Sequence, residues 1–224
     1  MPLPLIHLAE IDSTQAFLAR HPELEFCGVL ADAQTAGKGR GGNSWESAPG
    51  AGLWLSARLQ VPELVVGVML QRAMSAVIVA LEPCGLILGV KWPNDLVAWE
   101  NDHLVKLGGI IGELSGGRMI LGAGVNLTDA PMIPDRAIPP ASLASLGAKH
   151  IPDRLALAEE ILSRWQDLGS APAPPFLWPH EDDAIRWEEG QGICAGWAED
   201  GRLKVRTAQG LELLSVGDVS GLRA

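Results

Sequence analysis

Residues 89–127 read GVKWPNDLVAWENDHLVKLGGIIGELSGGRMILGAGVNL. Apolar runs at 89–92, 96–99, 104–114 and 118–127 are separated by Pro93, by the polar turn ENDH and by SGG. Apolar runs punctuated by Gly, Pro, Asn and Asp are the pattern of strands joined by tight turns, so this stretch predicts a strand meander. Two glycines just beyond Lys106 and Leu107, Gly108 and Gly109, permit close approach of another backbone or of a ligand.

Upstream of the meander, residues 64–81 are the most apolar stretch of the chain, with Gln71 and Arg72 at their middle. A charge there is costly in lipid, so a buried core helix is expected, not a membrane span. PCG (83–85) stops that helix. LWLSARL (53–59) alternates as a strand, and residues 26–33 and 5–11 read as two more. Asp12 or Ser13 offers a side-chain oxygen to cap a helix running to about Arg20. Downstream, residues 128–152 are rich in Pro and Ala and read as a loop. Asp153 caps a predicted helix over 154–168, with Leu155, Ala158, Ile161, Leu162 and Trp165 on one face. APAPPFLWP (171–179) reads as a linker or an extended crossing, and from about Gly190 short strands alternate with EDG and AQG turns. The sum is an α+β chain: a mixed β-sheet backed by helices, followed by a small β tail.

The 224 residues are 47% hydrophobic and 20% charged, enough to bury a core. A net charge of −10 argues against a surface that coats nucleic acid, which needs clustered cations. Cys27, Cys84 and Cys194 are far apart and odd in number, so neither a disulfide framework nor a zinc site is indicated, and a reducing cytoplasm fits. The start, MPLPLIHLAEIDST, lacks a basic segment followed by a long apolar core, so no signal peptide is expected.

Four short runs carry candidate chemistry. GKGRGG (37–42) matches G-x-G-x-x-G through Gly37, Gly39 and Gly42, but Pro49 and a strand follow where a dinucleotide fold needs a helix. What remains is a glycine-rich loop with two cations, Lys38 and Arg40, able to offer N–H groups and charge to phosphates; a surface turn with incidental basic residues would read the same. KWPNDL (91–96) puts Lys91 and Trp92 at a strand end and Asn94 and Asp95 in the turn beyond, where ligand groups gather. Asp95 could orient a basic residue or help hold Mg²⁺, or simply make an Asx turn. Lys106, a lone cation in an apolar strand, suits negative charge on a reacting carboxylate and phosphate; a snorkelling edge-strand lysine is the alternative. Asn126 ends the apolar strand of GAGVN (122–126), as a turn residue also would.

These runs occur together and in order, with DST (12–14) and Gln34 ahead of them. The set DST, QTAGKGRGGNSW, GLWLS, KWPNDL, KLGGIIGE and GAGVN, spread over about residues 7–127, resembles the catalytic core of the biotin–protein ligases in the wider biotin/lipoate ligase family. The resemblance implies a class II aminoacyl-synthetase-like catalytic domain, a mixed sheet flanked by helices, over residues 1–178, and a small SH3-like β module over 179–224. It implies activation of biotin by ATP and Mg²⁺ to biotinyl-5′-AMP, then transfer to a lysine of a biotin carboxyl carrier protein. By resemblance Lys106, Arg40 and Lys38 are catalytic, and Ser13, Thr14, Gln34, Gly37, Gly39 and Gly109 bind biotin. Lys38, Gly39, Arg40, Trp45 and Asn126 serve the adenylate, while Lys91, Trp92, Asn94 and Asp95 line the site, with Mg²⁺ near Asp95. A homodimer through an exposed sheet edge is a further implication.

Three departures stand out. Lys38 replaces the first arginine of the family's usual basic loop, and Asn43 stands where a basic residue is common. Gln15 stands where the family often has Asn. The β tail is short by one strand before GWAEDGRLKV, leaving it truncated. With the catalytic core at the very start, no DNA-binding segment is expected, and no nucleic-acid or membrane partner. The rival readings are a lipoate or octanoyl ligase using the same acyl-adenylate chemistry, and a non-catalytic biotin- or nucleotide-binding protein.

Overall fold

The structure is a computed structural model and describes all residues except 1, 2, 43, 61–65, 116, 117, 134, 135, 170, 172, 216, 218 and 222–224. The departure at Asn43 and the start of the apolar helix therefore lie outside the described residues.

In chain order the elements are β1 (Leu5–Ile11), α1 (Thr14–Arg20), β2 (Gly28–Lys38), β3 (Ser44–Ser47), β4 (Gly52–Gln60), α2 (Val66–Ala80), β5 (Leu88–Lys91), β6 (Asp95–Glu100), β7 (His103–Ser115) and β8 (Arg118–Asn126). There follow α3 (Arg154–Trp165), β9 (Phe176–Trp178), β10 (Ala184–Trp187), β11 (Gly190–Trp197), β12 (Leu203–Thr207), β13 (Gly210–Leu214) and β14 (Ser220–Gly221). The meander folds as its punctuation predicts: β5, β6, β7 and β8 pair in turn, each antiparallel to the next. They form the middle of a sheet ordered β1-β2-β4-β8-β7-β6-β5-β9, with β3 paired to β2. β1 with β2 and β5 with β9 are parallel, so the sheet is mixed.

Adjacent residues of a strand face opposite sides, and the core divides accordingly. Leu30 of β2 joins Met69, Met74 and Val77 of α2 and Ile161 and Trp165 of α3 in the main core. Its neighbour Val29 packs instead with Leu18 of α1 and Ile120 of β8. Helices thus cover both faces. Gly85, at φ +73°, ends the turn after α2 in a left-handed conformation that favours glycine. α3 is capped by Asp153, whose side chain accepts the Ala156 N–H, but it ends at Trp165, and Leu155 is exposed, not on the buried face.

Two expectations are corrected. Strand β2 continues through the glycine-rich run to Lys38, and β3 returns beside it in an antiparallel hairpin, so the basic loop is a hairpin tip. Residues 34–38 carry no alternating apolar pattern; their strand form comes from pairing with β3. The tail is not short of a strand either. β10 precedes β11, and the second sheet runs β13-β12-β11-β10-β14. β10 is only AIRW, flanked by acidic residues, so it left little pattern to read; Ile185 and Trp187 point into its core while Arg186 faces out. The turn between β11 and β12 ties the second sheet to the first: Gly201 O accepts from Gln71 Nε2 of α2 at 3.0 Å and from Trp92 Nε1 at 3.2 Å. No described helix is long and apolar enough to cross a membrane.

Candidate active site

A cavity of about 1280 Å³ opens on the sheet between the β2–β3 hairpin, the turn after β5 and the second sheet. Its deep end is polar. Ser13 caps α1, its Oγ accepting the Ala16 N–H at 3.3 Å. Asp12 before it accepts the Ser13 N–H at 2.8 Å and two bonds from Arg20 at 2.7 and 2.9 Å. The Arg20 guanidinium holds the Asp12 carboxyl at about 2. Thr14 donates its backbone N–H to Gln34 Oε1 at 2.8 Å, and its hydroxyl lies 3.1 Å from the same oxygen and 2.8 Å from Ser56 Oγ. Ser13, Thr14, Gln15 and Ser56 are all buried yet line the cavity.

The cations converge on the same hollow. Lys38, Gly39 and Arg40 line it from the hairpin tip, Lys106 from β7 and Lys91 from the end of β5. Arg40 Nη1 donates to Asn94 Oδ1 at 3.0 Å and to the Gly217 carbonyl, beyond the second sheet's β13, at 3.4 Å. Asn94 is fixed in turn by donating from Nδ2 to Ile110 O at 2.7 Å. Lys106 Nζ lies 2.6 Å from Asp95 Oδ1 and 5.8 Å from the centre of the Trp45 ring. β7 lies between β6 and β8, which removes the edge-strand alternative for this lysine. Lys91 is buried, with its ammonium 5.6 Å from the Trp178 ring.

An aromatic and amide wall completes the site. Trp45 meets Trp54 edge to face at 6.2 Å. Only glycine fits under Trp45 at position 124, where a Cβ would come 2.8 Å from the indole. Asn126 donates from Nδ2 to Ala141 O at 3.0 Å, while its Oδ1 is buried without a protein partner. The buried indole nitrogens of Trp45 and Trp54 also lack partners. Buried polar atoms left so are costly, and a bound polar ligand would relieve that cost. Gly109 lies under Asn94, whose carbonyl oxygen would be 3.1 Å from a Cβ there.

Two expected residues fall elsewhere. Gly37 lines an adjoining cavity of about 380 Å³ and reaches the main site only through its cross-strand partner Trp45. Trp92 does not line the cavity: it is 1% exposed and packs with Ile185, Trp187, Leu203 and Val205 in the core of the second sheet. Side chains alternate along an extended chain, so Lys91 faces the cavity and Trp92 faces away. Residues missed from sequence include Ser56, Trp54 and Arg186. A hydroxyl inside the apolar run LWLSARL was the available signal for Ser56. Among the described residues no three His, Cys, Asp or Glu side chains are grouped to hold a metal, and Asp95 is engaged by Lys106.

A family model, the biotin/lipoate A/B protein ligase family, matches residues 10–127. The biotin–[acetyl-CoA-carboxylase] ligase of Mycobacterium tuberculosis is 28% identical over 96% of this chain and 88% of its own length. The bifunctional ligase/repressor BirA of Bacillus subtilis is 30% identical over 95% of this chain and 71% of its own. The biotin protein ligase from Aquifex aeolicus, solved in complex with biotin and ATP, superposes with a TM-score of 0.78 at 25% identity, covering 99% of each chain. The chain belongs to the biotin/lipoate A/B protein ligase family.

Proposed function

We propose that this chain is an ATP-dependent biotin–protein ligase, activating biotin to biotinyl-5′-AMP and passing it to a lysine of a biotin carboxyl carrier protein. One observation carries the reading: Lys38, Arg40 and Lys106 surround a single cavity whose deep end is a cluster of hydrogen-bonding side chains. In the first step a carboxylate oxygen of biotin attacks the α-phosphorus of ATP and pyrophosphate leaves. Two anions must meet, and cations already placed at the developing charge lower that barrier. Lys106, held by Asp95 until the substrates arrive, sits between carboxylate and phosphate. Arg40 and Lys38 close over the phosphates from the hairpin tip. Ser13, Thr14 and Gln34 bind the ureido ring, with Gly39 and Gly109 leaving it room. Trp45 and Asn126 hold the adenylate, Asn126 Oδ1 being the unpartnered acceptor. In the second step the acceptor lysine amine attacks the acyl carbon, AMP leaves and the amine gives up a proton. No side chain of the protein becomes acylated.

No cage of carboxylates for Mg²⁺ is present among the described residues, so the ion would come with ATP and would neutralise phosphate charge. We assign residues 1–178 to the catalytic domain and 179–224 to the β module, with the cytoplasm as the compartment and a homodimer as the assembly. The test is mass spectrometry of the purified protein given biotin, ATP and Mg²⁺. Biotinyl-5′-AMP should form and an acceptor peptide should discharge it. Absence of adenylate with biotin, together with adenylate from lipoate or octanoate, would move the chain to the other branch of its family.

A further inference from the structure

Ser56 and Gln15 line the deep end of the cavity and have no role in the steps above, although they are 1% and 3% exposed. A buried hydroxyl or amide must be hydrogen-bonded, and its partners dictate which way its proton points. Gln15 Nε2 donates to the Ile120 carbonyl at 2.9 Å. A carbonyl only accepts, so the amide nitrogen faces Ile120 and the amide oxygen faces Ser56. That oxygen in turn only accepts, and Ser56 Oγ lies 3.2 Å from it. The single Ser56 proton therefore goes to Gln15, which leaves Ser56 Oγ as the acceptor for Thr14 Oγ1 at 2.8 Å. The alternative acceptor for Thr14, Gln34 Oε1, is farther at 3.1 Å and already takes the Thr14 backbone N–H at 2.8 Å. Thr14 thus spends its proton inside the protein and turns lone pairs to the cavity. Gly122 belongs to the same arrangement, since a Cβ there would come 2.8 Å from Gln15 Oε1.

We infer that Gln15 and Ser56 are positioning residues that hold the Thr14 hydroxyl as a hydrogen-bond acceptor, so that the site selects a ring presenting an N–H to Thr14. The inference rests on the biotin reading: a cyclic urea carries such N–H groups and a dithiolane carries none. A site built to pair with an N–H rejects an analogue lacking it far more strongly than an apolar pocket rejects a change of size.

The experiment is titration calorimetry of wild type, Ser56→Ala and Gln15→Met with three ligands. These are biotin and the two cyclic carbamate analogues in which one ureido N–H is replaced by an ether oxygen. Wild type should discriminate against one of the two carbamates by about 100-fold or more. In Ser56→Ala the Thr14 hydroxyl loses its nearer partner and keeps only the longer one, Gln34 Oε1 at 3.1 Å, which already takes the Thr14 N–H. Its proton can then turn toward the ether oxygen, and that ratio should shrink at least about tenfold while biotin itself binds more weakly. Gln15→Met keeps Ser56 but removes its acceptor and should shrink the same ratio; it carries the test should Ser56→Ala fail to fold by thermal unfolding. A merely structural role would weaken all three ligands by one common factor, and unchanged ratios in both variants overturn the inference. Wild type that does not bind biotin overturns the reading of the site itself, and the inference with it.

Discussion

The two ends of the cavity are built on different terms. At the deep end Ser13, Thr14, Gln15, Gln34 and Ser56 bond to one another or to nearby backbone. α1 beneath them is tied at both ends, by Asp12 with Arg20 and by Arg58 Nη2 donating to the Leu18 carbonyl. At the other end Lys38 and Arg40 stand on a hairpin tip, with Lys38 exposed and Arg40 bonded to a turn and to a segment outside the hairpin. The hydrogen-bonded half is preorganised, so a ligand there would give up little ordering free energy. The charged half is assembled from separate pieces of chain, joined by the bonds of Arg40 to Asn94 and Gly217.

The contrast can be broken at its strongest point first. Lys106→Ala should lower the rate of adenylate formation by on the order of 10²-fold or more, the loss of about 3 kcal/mol of charge stabilisation. Pyrophosphate release measures it, and a wild-type rate would remove Lys106 from the chemistry. Biotin binding without ATP should change far less, because the deep end is intact. Next, Arg40→Gly removes the latch to Asn94 and Gly217, and the adenylate should dissociate about tenfold faster. Stopped-flow chase with excess biotin reads this, and an unchanged off-rate would count against the hairpin as a closing element.

The smallest effect belongs to the rigid end. Asp12 has its pKa lowered in the fold by Arg20, from 3.8 to about 2. A depressed carboxylate contributes stability that is full above its unfolded value and is lost as pH falls through its folded one. Wild type should therefore lose this contribution between about pH 4 and pH 2. Asp12→Asn should lack that part of the acid dependence, at a cost under about 1 kcal/mol near neutrality, since the pair is about half exposed. Acid titration of thermal stability compares the two; parallel curves would show that the pair does not hold α1.

The same division explains what the sequence disclosed. Residues 89–127 were legible because apolar runs broken by Gly, Pro and Asn determine strands locally, and β5, β6, β7 and β8 follow them. The four strands also bring Lys91, Asp95, Lys106 and Asn126 to one cavity. The β2–β3 hairpin was not legible, since QTAGK has no alternation and becomes a strand only through its partner. Trp92 was misplaced because spacing alone does not say which of two adjacent residues faces a site; the pleat does, once the second sheet supplies a core for the indole. Ser56 was visible as an odd hydroxyl, but its partners Thr14 and Gln15 lie about forty residues away, so its purpose appears only in three dimensions.

The Gly201 carbonyl receives both Gln71 and Trp92, and Trp92 stands two residues before the asparagine that holds Arg40. The tail and the β2–β3 hairpin are therefore fastened to the same short turn after β5. Trp92, beside β5, and Trp178 of β9 also pack into the second sheet's core, so heating should melt the two sheets as one cooperative unit.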